Sequence, residues 1–184
     1  MKLPTKITKT KVSIDQFEEK LVEKHGYVAM DNGHFATIYG IPGYEKVLKV
    51  ARFDSVDEDG YLSYLQAMNP KNPLLPRIYS IKFYSYGSRK YYVIEMERLF
   101  TLECVSHKEF CGILSKLKLT YVSDIIQRTP KSASVRKMQK ILKKLLCTFE
   151  NDLGGENVML RKLKRGYSLV VTDPIAWHIV NYSL

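Results

Sequence analysis

The sequence predicts an α+β fold. A five-stranded antiparallel sheet with one inserted helix precedes a mainly helical half that carries a β-hairpin. Three observations predict it. Between residues 27 and 96, short apolar runs alternate with polar residues and are separated by Gly-containing turns, the period of half-buried strands. Between residues 134 and 150, Val135, Met138, Ile141, Leu142, Leu145, Leu146 and Phe149 recur at helical spacing. Between residues 158 and 171, two further apolar runs flank a Lys164-Arg165-Gly166 turn.

Taken in order, residues 1–14 are polar and basic and read as an arm. Ile14, Phe17 and Leu21 mark a short helix to Glu23. Tyr27–Met30, Phe35–Tyr39 and Lys46–Val50 read as strands joined by Asp31-Asn32-Gly33 and Gly40-Ile41-Pro42-Gly43. Asp57–Met68 reads as a helix whose first turn is acidic, which suits the helix dipole. The Pro- and Asn-rich stretch 69–76 is a loop. Ile78–Tyr84 and Lys90–Met96 complete the sheet. Glu103–Leu117 and Ser134–Glu150 are the helices of the second half, and the boundary falls near Met96–Leu99.

Composition narrows the classes. Hydrophobic residues make up 45% of the 184-residue chain and charged residues 26%, so disorder of the whole chain is excluded. No apolar run is long enough to span a bilayer. The basic N-terminus lacks the apolar core of a secretory leader. Cys104, Cys111 and Cys147 form no CxxC pair and are expected to be reduced, buried thiols of a cytosol-like compartment. The formal charge of +10 admits nucleic acid, nucleotide phosphates or an acidic protein without choosing among them. Lys137, Lys140, Lys143 and Lys144 read as a solvated helix face rather than a phosphate-binding surface.

Two constellations could carry chemistry. Asp152, Asn157 and Asp173 surround the second hairpin. A hairpin centred on residue 165 would set Asn157 and Asp173 at one open end, about 5 Å apart. Oxygen donors at that spacing suit Mg²⁺, with Asp152 within reach of a hydroxyl facing it. The alternative is an ordinary hairpin, with Asp152 a loop residue and Asp173-Pro174 a turn starter. The other constellation is the turn at Asn32-Gly33-His34-Phe35 with Lys49 on a later strand. A glycine there lets backbone N–H groups approach a phosphate, and it equally serves a purely structural turn. His34 reads as a turn residue.

The order of a Gly turn, a strand lysine, an acidic-start helix, a sheet, D-x4-N and D-P looks like a protein kinase. DNGHFATIYG with VLKV, then LLPRIYSI, DLGGENVM and VVTDP resemble the early serine/threonine protein kinases of T7-like bacteriophages over residues 27–176. The resemblance implies a kinase-like fold. Residues 1–25 would be an arm and short helix, 26–97 an N-lobe and 98–184 a reduced C-lobe. It implies ATP and Mg²⁺ as cofactors. Asn32, Gly33, His34 and Phe35 would cover the phosphates, and Lys49 would contact them. Glu58 or Asp59 would partner Lys49. Glu95, Met96 and Glu97 would meet adenine through the backbone. Asp152 would orient or deprotonate the acceptor hydroxyl, and Asn157 and Asp173 would hold Mg²⁺.

The resemblance also implies host proteins in the bacterial cytoplasm as substrates, such as transcription or RNA-processing machinery, with the kinase itself a further candidate. No membrane partner is expected. Direct nucleic-acid binding is not expected either, because no aromatic–basic motif of a nucleic-acid fold is visible. The chain departs from the kinase pattern in places. Asp31 and Ala36 stand where glycines would be, Glu150-Asn151 replaces His-Arg, and Gly154 stands where related kinases tend to have His. Gly154 and the reduced helical lobe motivate an alternative, a catalytically weak pseudokinase that binds and modulates a host transcription or defence protein. Only eleven residues follow Asp173, so peptide binding is expected on another surface, on another chain, or not at all.

Overall fold

The computed structural model describes residues 3–32, 36–56, 59–67, 71–127, 131–147, 149–151, 157–173 and 175–178. It is mixed α+β and divides into two compact units. Lys2–Val56 with Arg77–Arg98 makes the first, and Asp57–Pro76 with Leu99–Leu184 makes the second. No helix among the described residues is long and apolar enough to cross a membrane.

The first unit is built on six strands: β1 (Ile7–Lys9), β2 (Val28–Asn32), β3 (Ala36–Gly40), β4 (Lys46–Phe53), β5 (Ile78–Tyr86) and β6 (Arg89–Glu97). Their order is β1-β5-β6-β4-β3-β2. The expected five-stranded antiparallel sheet is therefore a six-stranded mixed one. Part of the expected arm is a strand, lying parallel to β5 with Ile7 opposite Phe83. All three β1 residues are exposed, so no apolar alternation marks it in the sequence. Main-chain pairing carries it instead, and continues to Thr10 N–H on Ser85 O at 2.9 Å.

Helix α1 (Ile14–His25) starts in a capping box. Ser13 Oγ accepts from Gln16 N–H, and Gln16 Oε1 accepts from Ser13 N–H. It stops at Gly26, whose φ of +68° is the left-handed cap that glycine adopts without Cβ strain. Its Ile14 and Leu21 pack with Tyr39, Val50, Tyr91 and Val93, and Leu48 lies against them. Because side chains alternate along a strand, Val47, Lys49, Ala51 and Phe53 take the other face of β4. There Phe53 meets Phe83 at 5.2 Å and Tyr92 at 5.8 Å between ring centroids.

The second unit contains α2 (Gly60–Ala67), a 3-10 turn (Leu102–Cys104), α3 (His107–Lys116), α4 (Asp124–Gln127) and α5 (Ala133–Leu145). It also holds β7 (Phe149–Asn151) paired with β10 (Ile175–His178), and the hairpin of β8 (Val158–Lys162) and β9 (Tyr167–Val171). Helix α2 starts later than expected because Asp59 caps it, its Oδ1 accepting from Leu62 N–H at 2.8 Å. Its Tyr61, Leu62, Tyr64 and Leu65 are all buried and make one broad face, while Gln66 and Ala67 are exposed. Helix α3 starts at His107 rather than Glu103, because Ser106 and Glu109 form a second capping box. Helix α5 buries Val135, Met138 and Leu142 and ends at Leu145, so the expected run to Glu150 gives way to β7. All three cysteines are free and exposed, which corrects the expectation that they are buried. Cys111 lies on the outer face of α3, while Cys104 and Cys147 sit in turns at helix ends.

One titration follows from the α1 packing. Burial holds the Glu18 carboxyl above its usual range, against the opposing hydrogen bond from the Tyr39 hydroxyl. The folded state thus binds this proton more tightly than the unfolded chain does. That contribution is present below the ordinary carboxylate pKa and is lost as pH rises through the raised value. We expect Glu18→Gln to raise the melting temperature relative to the parent more at pH 7 than at pH 4. Thermal melts across that range would detect it, and a pH-independent difference would exclude it.

Candidate functional site

The β8–β9 hairpin pairs Val158 with Val171 and Lys162 with Tyr167. It closes with Leu163 N–H on Gly166 O at 2.9 Å, and Gly166 takes φ +77°. The two-residue loop is therefore Lys164-Arg165, and the centre lies half a residue before position 165. Asn157 then stands opposite Thr172, whose N–H donates to Asn157 O at 2.9 Å, and not opposite Asp173 as expected. Asn157 and Asp173 still flank the same open end of the ribbon. Next to it, β7 and β10 set Asn151 opposite Ile175. Asp152, which follows Asn151 in sequence, lies outside the described residues.

The end of β9 is tied from two other segments. Val171 N–H donates to Leu74 O at 2.8 Å, and the Tyr64 hydroxyl of α2 donates to Val171 O at 3.2 Å. Opposite β9, the buried guanidinium of Arg161 in β8 donates to Pro73 O at 2.8 Å and to Leu75 O at 2.6 Å. The loop is itself stiffened, since Asn72 Oδ1 accepts from Leu74 N–H and Asn72 O from Leu75 N–H. Loop 72–75, α2 and the hairpin thus form one hydrogen-bonded frame behind Asp173.

Asp173 is half-buried, and its Oδ1 is sealed from solvent. Its charge reaches α2. Tyr61 is pushed well above the ordinary phenol range by burial first, then by the charges of Asp173 and Asp59. Tyr64 moves the same way through burial, Tyr61 and Asp173. Both phenols stay protonated at any physiological pH, which keeps the Tyr64 hydroxyl a donor. The second unit thus gathers Asn157, Asp173 and the capping carboxylate of Asp59. Glu58 lies outside the described residues. The sequence reading missed Tyr61, Tyr64 and Arg161. The Tyr-Leu-Ser-Tyr-Leu run in α2 was the one available signal for the tyrosines, and nothing local marked Arg161.

Lys49, Glu95, Met96 and Glu97 lie in the first unit. Lys49 is 8% exposed on the central strand β4, opposite Ile38 of β3 and Ile94 of β6. Glu95 accepts from Lys46 Nζ at 2.9 Å. Glu97 is buried, its Oε1 accepts from Arg77 N–H at 2.8 Å, and its own N–H donates to Arg77 O at 2.9 Å. That N–H is engaged inside the unit and is not an open donor for adenine. Asn32 ends β2, and Gly33, His34 and Phe35 lie outside the described residues. Among the described residues, no group of three or more His, Cys, Asp or Glu could hold a metal ion. No protein-family model matches this chain, and no curated protein matches it significantly.

The frame makes a stability prediction. Arg161→Met keeps the side-chain stem and removes two charge-assisted hydrogen bonds, leaving two carbonyls to find other donors. A loss on the order of 3 kcal/mol is expected, read from denaturant midpoints. An unchanged midpoint would mean that loop 72–75 is held by other contacts.

Proposed function

We propose that this chain is an ATP- and Mg²⁺-dependent protein kinase that phosphorylates serine or threonine hydroxyls of host bacterial proteins, in line with its resemblance to the early kinases of T7-like bacteriophages. The observation that carries this reading is the β8–β9 hairpin, whose open end is flanked by Asn157 and Asp173 with Thr172 N–H on Asn157 O. An amide oxygen and a carboxylate are hard donors of the kind Mg²⁺ takes. Mg²⁺ is commonly held by one or two carboxylates together with substrate phosphates and several waters. A third protein carboxylate is therefore not required, and the residues present fit the ion.

Asn157 and Asp173 would hold the metal, which would supply positive charge against the negative charge that develops during phosphoryl transfer. Lys49, a cation on the central strand of the sheet, would contact the nucleotide phosphates. Asp152 would accept the proton of the attacking hydroxyl as its oxygen bonds to the γ-phosphorus and ADP leaves. Little covalent work falls to the protein, so positioning and charge supply most of the rate. The frame of Arg161, Leu74 and Tyr64 supports this reading, because it fixes the backbone that carries Asp173.

Transfer from labelled ATP to host extract or to the chain itself is the direct test, with phosphosites mapped by mass. Asp173→Asn should lower transfer by at least about 100-fold, and full activity at ordinary Mg²⁺ would sink the metal assignment. Lys49→Ala should weaken nucleotide use while the melting curve stays cooperative, and an unchanged rate would remove Lys49 from the site. If ATP with Mg²⁺ raises the melting temperature but no phosphoryl transfer is seen, the pseudokinase alternative takes its place.

A further inference from the structure

The outer face of α5 has no part in phosphoryl transfer. From Ile125 to Phe149 the chain carries seven Lys/Arg and no Asp or Glu. At 3.6 residues per turn, Arg136, Lys137, Lys140, Lys143 and Lys144 fall within an arc of about 120°. All five are exposed. Opposite them Val135, Met138 and Leu142 are each 0% exposed, so the helix cannot turn this face away from solvent. Residues 136, 140 and 144 repeat along the axis at about 6 Å per step.

The composition of the arc decides what it fits. A membrane surface takes up a helix through its apolar side, and that side of α5 is buried. The core of a protein–protein interface is rich in aromatic residues and poor in lysine. The arc has no aromatic residue, and its one apolar member is Ala133. Nucleic-acid interfaces are polar and strongly positive, and their affinity comes largely from displacing counterions from phosphates. The missing aromatic–basic motif bears on the reading of bases and places no limit on contact with the backbone.

We infer that the α5 face binds the sugar–phosphate backbone of a nucleic-acid duplex without base readout. This stands independently of the kinase reading. The test uses the full chain and a short random-sequence DNA duplex, with binding followed by fluorescence anisotropy from about 50 to about 200 mM salt. Five phosphate contacts give a slope of log K against log salt of about −4.5. Lys140→Gln/Lys143→Gln/Lys144→Gln should make that slope shallower by about 3. Lys20→Gln/Lys24→Gln/Lys82→Gln removes the same formal charge from exposed positions of the first unit and should leave the slope unchanged. All six side chains are solvent-exposed, and circular dichroism checks that both variants are folded. No binding at the lowest salt, an equal loss in both variants, or tighter binding to polyglutamate than to the duplex would each overturn the inference.

Discussion

A guanidinium buried among main-chain carbonyls sets the geometry of the second unit. Arg161 is 7% exposed, and so deep a charge is tolerated where its donors are met. Two of them go to Pro73 and Leu75, residues more than eighty positions earlier in the chain. Loop 72–75 has no regular structure of its own, and its fixed shape comes from Asn72 within and Arg161 without. Through Leu74 O and Val171 N–H the same loop sets the end of β9. The place of Asp173 therefore depends on contacts far from it in sequence.

This frame also explains the state of the two α2 tyrosines. A phenol beside a carboxylate, in a setting closed to water, holds its proton. Tyr64 uses that proton to grip Val171 O, and Tyr61 sits between the charges of Asp173 and Asp59. Asp59 faces two ways, capping its own helix through Oδ1 while adding negative potential near Tyr61.

Much of the fold was legible because it was local. Strands β2 to β6 showed as short apolar runs between turn residues, and Gly26 and Gly166 sat where the left-handed region was needed. The β8–β9 hairpin could be read from two apolar runs around a basic turn. Features settled by non-local or side-chain geometry were not legible. Strand β1 has no apolar pattern, only main-chain pairing. The register of the second hairpin turned on a single residue in its loop, which moved the partner of Asn157 from Asp173 to Thr172. The cysteines were misjudged because helical spacing says nothing of which face Cys111 occupies, and because Cys104 and Cys147 sit in turns at helix ends. The start of α3 was written in Ser106 and Glu109, a signal stronger than the apolar spacing around it. For the candidate site, residue types and order were legible, whereas the supports of Asp173 were not, since Arg161 and Tyr64 reach it across the unit.

Strand β1 has a kinetic consequence. Its partner on β5 lies 76 positions later, Ile7 against Phe83, so closing this pair costs more chain entropy than the nearer pairings of the sheet. With three exposed residues it adds little apolar burial once in place. Topology therefore favours late docking of the leading segment, after the shorter-range β2–β3, β3–β4 and β5–β6 pairings. In the folded molecule that same strand is where hydrogen exchange along the sheet should begin.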